Sequence, residues 1–310
     1  MTALIWVLLV LQAAQPAATV PAQTPATIQA PAPAPLYVPQ RVYDGRRQAF
    51  SDFELMLADL SRADVIFVGE QHDDPNTHRL EAAILDGLRR RSAQLTVSLE
   101  MFERDVQPSL DSYLDGATSE EEFLKSSRPW PRYATDYRSL VEMAKRERWP
   151  VVAANVPRRI AAEAAKGGPA AIDGLTAVDR AYAARDLRCP LDAYFERFWE
   201  TMNGHPIAAA EKDAGTERRA STERYFFSQC VKDETMAESI AARVDAPGPI
   251  VHVTGAFHSD FGHGIPERVR RRAEGRRVAI VSIVPVKDLD AVAPSAEDLR
   301  RADYLLYTLR

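Results

Sequence analysis

The chain has 310 residues, 46% of them hydrophobic, which is enough apolar material for a full core and excludes disorder throughout. Its net charge of -5 and pI near 5.8 give no global attraction to phosphate backbones, so nucleic acid is not an expected partner. The first forty residues contain no Asp, Glu, Lys or Arg. Within them the apolar run Ala3–Leu11 is far below the roughly 18 to 20 residues of a membrane span, but it suits the h-region of a signal peptide. Residues 1–20 are therefore expected to be a cleaved signal peptide, and 21–40 a Pro/Ala-rich linker in extended conformations. No Cys follows the h-region, so an exported, periplasmic chain is expected, with neither a lipoprotein anchor nor a transmembrane span after cleavage.

From residue 41 onward, short β-branched runs bounded by turn residues predict buried strands at Val65–Val68, Leu95–Leu99, Val151–Ala154, Ile250–Thr254 and Val278–Val284, with an edge strand at Tyr304–Leu309. Helical spacing over Thr77–Arg90 and Asp136–Arg148 alternates with the early strands. That alternation implies right-handed crossovers and an α/β fold with a mainly parallel central sheet flanked by helices. Residues 158–248 hold no convincing strand but show helical spacing in Leu175–Leu187, Leu191–Met202 and Thr216–Val244, which predicts a helical insertion between strands three and four. Cys189 and Cys230 can pair in an oxidising compartment or remain two buried thiols.

Strand one runs into Gly69-Glu70-Gln71-His72-Asp73-Asp74-Pro75, where Asp74-Pro75 has the form of an N-cap and a first-turn proline. Strand two ends at Glu100, strand three at Asn155-Val156-Pro157-Arg158, and strand four at Gly255-Ala256-Phe257-His258, a second Gly-x-x-His tetrad. Open parallel sheets bind ligands outside the carboxyl ends of their strands, so these residues are expected to converge. Glu70, His72, Glu100 and His258 are suitable ligands for Zn, Mn or Fe. Without a metal, His72 can act as general base, with Glu100 or Glu70 setting its tautomer. Asn155 can orient a ligand, and Arg158 can grip a carboxylate. His78 is expected to face solvent, His252 to lie in the core, and His205 and His263 are weaker candidates for ligand contact. The chain has no Gly-x-Ser-x-Gly elbow, no P-loop and no Cys beside these motifs.

In order, Gly69–Asp74, Leu99–Phe102, Asn155–Arg158, Gln229 through Asp233-Glu234-Thr235-Met236-Ala237, and Gly255–His258 followed by Gly264-Ile265-Pro266 resemble the ChaN-like haem-binding uptake family. That family is grouped with the Tiki, TraB and erythromycin-esterase-like proteins, and the likeness covers nearly all of residues 41–290. The resemblance implies an iron-regulated, envelope-associated protein that binds haem between the subunits of a homodimer through a tyrosine ligand. Tyr194 and Tyr225 are the candidate ligands, His205 a candidate propionate contact, and Arg158 and Asn155 further candidate contacts to the cofactor. The chain departs from the family pattern in lacking the lipoprotein Cys and in carrying Phe257 and Asp260 where small and apolar residues are expected. The esterase-like and Tiki-like relatives imply an alternative, a metal-assisted esterase or peptidase using His72, Glu100 and His258.

Overall fold

The computed structural model describes residues 38–204, 207 and 217–310. The expected signal peptide, most of the expected linker and His205 lie outside the described residues. Val38 is already buried and the first strand starts at Gln40, because this segment covers the outer edge of the last strand.

Eight strands form one sheet: β1 (Gln40–Asp44), β2 (Ala49–Ser51), β3 (Val65–Glu70), β4 (Thr96–Glu103), β5 (Val151–Asn155), β6 (Ile250–Gly255), β7 (Val278–Val286) and β8 (Tyr304–Leu309), in the order β2-β1-β8-β7-β3-β6-β4-β5. From β8 to β5 every pairing is parallel, and β1 and β2 add antiparallel strands at one side. The sequence did not announce β1 and β2, which are short: β1 mixes Gln40, Arg41 and Asp44 with Val42 and Tyr43, and β2 is largely exposed, so neither reads as a continuous apolar run. At the opposite side the Gln107 amide occupies the free edge of β5, accepting from Ala153 N–H at 2.7 Å and donating to the Val151 carbonyl at 2.8 Å, so that no open ladder is presented there.

The period-two alternation of the buried strands divides the core. Ile66, Val68, Val97 and Val253 face α1 (Phe53–Leu60) and α2 (Pro75–Arg89), while Val65, Phe67, Val152 and Ile250 face the opposite helical layer. As expected, Asp74 caps α2 by accepting from Asn76 and Thr77 N–H, with Pro75 in its first turn. Between β4 and β5 lie α3 (Gln107–Leu114), α4 (Glu120–Ser127), α5 (Tyr133–Asp136) and α6 (Arg138–Glu147). Between β5 and β6 the described residues form α7 (Arg158–Gly167), α8 (Pro169–Asp173), α9 (Ala177–Tyr182), α10 (Ala193–Asn203) and α11 (Glu217–Ala241). After β6 comes α12 (Ile265–Arg272), which packs with α11 on the second face.

The helical spacing over Leu175–Leu187 shortens to α9, because the following backbone is held by side chains of α11: Ala184, Arg185 and Arg188 N–H donate to Thr235, Glu238 and Glu234. A Cys189–Cys230 disulfide ties the same segment to α11 across 41 residues. Among the described residues no helix is long and apolar enough to cross a membrane. Closing a loop of that length restricts the unfolded chain by about 4 kcal/mol on the chain-entropy model. Urea unfolding of Cys189→Ala/Cys230→Ala should show a stability loss of that order.

Candidate functional site

The ends of β3, β6 and β4 stand side by side, and register decides what meets there. Glu70 pairs with Gly255 across β3 and β6, while Leu99 of β4 pairs with Val253 of β6 just before Glu100. Glu100 lies inside β4, since the strand continues past it with a shift in register between Leu99 and Glu103. Its side chain is almost fully buried. Thr254 Oγ1 and Gly255 N–H donate to Oε2 at 2.7 and 2.8 Å, and His258 Nε2 stands 3.4 Å from Oε1. The other nitrogen of His258 makes a short hydrogen bond to Asp233 of α11. Burial alone would strip the proton from His258, but the Glu100 and Asp233 carboxylates outweigh it and raise its pKa to about 10. In return, the charges of His258 and His72 and the Gly255 N–H overcome burial and hold Glu100 well below the usual carboxylate range.

The first tetrad builds a second pair. His72 Nδ1–H donates a short hydrogen bond to Glu70 Oε1, which also accepts from Tyr137 OH at 2.8 Å. Burial opposes the His72 charge, but Glu70 and Glu100 raise its pKa above the ordinary value; Glu70 itself is held at about 2 against its own burial. The two glycines explain why the tetrads can meet. A Cβ on Gly255 would lie 2.7 Å from His72 Nε2, and one on Gly69 would lie 2.8 Å from Ser259 Oγ and 3.1 Å from Ala256 Cα. Each glycine leaves room for the other turn.

His72, Glu100 and His258 line one cavity of about 230 Å³ together with Trp130, Arg158 and Lys232. Asn155 holds its rim, donating from Nδ2 to the Glu100 carbonyl at 3.1 Å, and Arg158 lies 3.2 Å from Glu103 Oε1. Glu70 supports the cavity from behind His72 and is not part of its lining.

The two tyrosines part company. Tyr194, on α10, is 2% exposed and packs against Phe226, Phe257 and His263; Gln229 Nε2 reaches its hydroxyl at 3.5 Å. Burial and the Asp233 charge push its phenol well above 10, so it stays neutral. Tyr225, on α11, is 52% exposed.

His252 is buried as expected, with Ser98 Oγ 2.8 Å from its Nδ1, and burial lowers its pKa to about 3. His263 is partly buried behind Tyr194. His78 corrects the expectation of solvent exposure: it is 4% exposed, turned inward because Glu70, Glu81 and Asp136 surround it. Sequence reasoning did not assign roles to Asp233, Gln229, Lys232, Trp130 or Tyr137. Gln229 and Asp233 are four apart on one helix face and flank the disulfide Cys230, a signal that becomes meaningful only once α11 is known to cross behind His258.

The sequence profile of a family described as haem-binding uptake, Tiki superfamily, ChaN matches residues 56–269. The chain belongs to this family. ChaN of Campylobacter jejuni, solved with cofacial haem, aligns at a TM-score of 0.66 and 18% identity over 87% of this chain and 97% of that one, so the two share a fold. The chloroplastic protein RETICULATA-RELATED 5 of Arabidopsis thaliana is 24% identical over 241 residues; the match takes in 73% of this chain but spans only 32% of that protein. Within the ChaN family region fall both Gly-x-x-His tetrads, Glu100, Asp233 and both candidate tyrosines.

The paired imidazoles make stability pH-dependent. His258 has a folded pKa of about 10, above the 6.5 of an unconstrained histidine. Its stabilising contribution is therefore complete below about pH 6.5, declines above it and is gone beyond about pH 10. Thermal melts should show Tm falling through that window, and His258→Gln should flatten the fall while lowering Tm near neutrality.

Proposed function

We propose that this protein binds haem at the mouth of the strand-end cavity, with Tyr225 as the iron ligand. Family membership supports haem as the cofactor. The observation that carries the placement is the cavity lining, where the basic side chains His72, His258, Arg158 and Lys232 come together and outnumber the carboxylates Glu100 and Glu103. Such a wall suits the propionates of a porphyrin, and Trp130 offers an aromatic face beside it. Tyr225, Gln229 and Lys232 recur at i, i+4 and i+7, one stripe of α11 about 10 Å long that leads from open solvent to the cavity. The donor set fits haem, because a phenolate is a hard ligand for ferric iron and Tyr225 is accessible where Tyr194 is sealed and neutral. Bound haem would supply an iron centre; the chain supplies the phenol, the cations and the exclusion of water around Glu100.

A second copy of the chain is proposed to cover the outward face of the haem, giving a homodimer. Export is part of the same reading, supported by the charge-free residues 1–40, the apolar run Ala3–Leu11 and a disulfide that suits an oxidising compartment. Haem or iron uptake in the periplasm is the role these features favour.

Titration of the purified apo-protein with hemin should give a saturable, shifted Soret band. Tyr225→Phe should weaken binding on the order of tenfold or more and alter the band, whereas Tyr194→Phe should leave it in place. Absence of saturable binding would overturn the reading, and loss of the band in Tyr194→Phe alone would move the ligand to α10.

One observation favours a second reading, a hydrolase. His72 and His258, each backed by a carboxylate, face one cavity with Glu100 between them. With its pKa raised to about 10, His258 would serve as a proton donor near neutrality. Ester and peptide libraries should then yield a turnover that His72→Ala abolishes, and inactivity across both substrate classes would exclude it.

A further inference from the structure

Behind the cavity, on the α1/α2 side of the sheet, lies a polar cluster that the proposed function does not use. Glu70 at the end of β3, and His78 and Glu81 on α2, are all buried, and one ligand atom from each lies within 4.8 Å of the others. His78 Nδ1 is 3.3 Å from Glu81 Oε2 and 3.4 Å from Glu70 Oε2. Both separations are longer than the usual 2.7–3.2 Å of an N–H···O hydrogen bond. Two ligands at about 2.0–2.1 Å from a tetrahedral ion stand about 3.3–3.4 Å apart, which is the spacing seen.

A second observation points the same way. Glu70 Oε2 and Glu81 Oε1 are buried oxygens without a hydrogen-bond partner, on side chains that are almost fully enclosed. Enclosed carboxylate oxygens left unpaired are costly, and an ion held by Glu70 Oε2 and by the Glu81 carboxylate through both its oxygens would satisfy them. The surroundings are arranged as the outer layer of a metal site is. His78 Nε2 faces the His72 carbonyl at 3.2 Å and Asp136 Oδ2 at 3.4 Å, which fixes the ring with Nδ1 turned inward, while Tyr137 OH holds the other oxygen of Glu70.

We infer that Glu70, His78 and Glu81 form a buried binding site for a divalent first-row transition-metal ion, separate from the strand-end cavity. One imidazole and two carboxylates, with no thiolate, suit Zn²⁺, Mn²⁺ or Fe²⁺. The ion ties α2 to the end of β3 and, through Glu70 Oε1, sets the position of His72 at the cavity without entering it.

Zinc is the probe. Full chain stripped with a chelator, then incubated with Zn²⁺ and desalted, should retain one zinc per chain by elemental analysis and gain in Tm. Glu81→Gln should bind at least about tenfold more weakly and show no Tm gain, while Lys166→Ala, which removes an exposed α7 side chain paired only with Glu163 on the surface, should keep both. Zinc X-ray absorption of the loaded wild-type protein should show one imidazole in an all-nitrogen-and-oxygen shell; this readout stands even where a variant fails to fold. No retained zinc, full retention in Glu81→Gln, loss in Lys166→Ala, or a shell with two imidazoles would each overturn the assignment. Hemin binding is read separately by the Soret band, so failure of one site is distinguishable from failure of the other.

Discussion

The cavity depends on keeping one nearly buried carboxylate of its wall charged. Glu100 sits in β4 beside the central strand β6, and a carboxylate buried there would ordinarily take up a proton or open the fold. Three donors prevent this: the Thr254 hydroxyl, the Gly255 amide and the His258 imidazolium. His258 carries its charge with Asp233 balancing it from the other side, and Asp233 is brought there by α11, which packs against β5. The long helix α11 is thus an electrostatic part of the sheet's edge.

The same logic, applied one strand away, produces the second pair. Glu70 at the end of β3 holds His72, and His72 fits because Gly255 has no side chain. Parallel register brings Glu70 level with Gly255, so the two Gly-x-x-His turns interlock, each glycine receiving the partner turn. A slip of one residue in either strand would turn these carboxylates to the opposite face of the sheet. The result is a cavity in which basic side chains, most of them paired with carboxylates, surround Glu100.

Much of this was legible from particular residues. The apolar runs ending in Glu70, Glu100, Asn155 and His258 located the carboxyl ends of the central strands, and Asp74-Pro75 marked the start of α2, because strand length, capping and proline chemistry are local properties. The motif series from Gly69 to Pro266 also pointed to the family whose profile spans residues 56–269. His78 was misjudged for a physical reason. Spacing along α2 places it near the helix start, but only the packing of α5 and α6 against α2 shows that Asp136 and Tyr137 close over it. The hairpin of β1 and β2 was missed because half-exposed, Arg-bearing strands lack the continuous apolar signal of the interior ones.

By itself, then, the sequence determined the six parallel strands and the ionisable residues at or near their carboxyl ends, since these follow from chain-local sterics and hydrophobic periodicity. Only the tertiary structure decided partners and exposure. It placed Asp233 and Gln229 on His258, sealed Tyr194 while leaving Tyr225 in solvent, and gathered His78 with two glutamates behind the cavity. Charge and accessibility at a site depend on groups contributed from distant parts of the chain, and no local pattern encodes which of those groups will arrive.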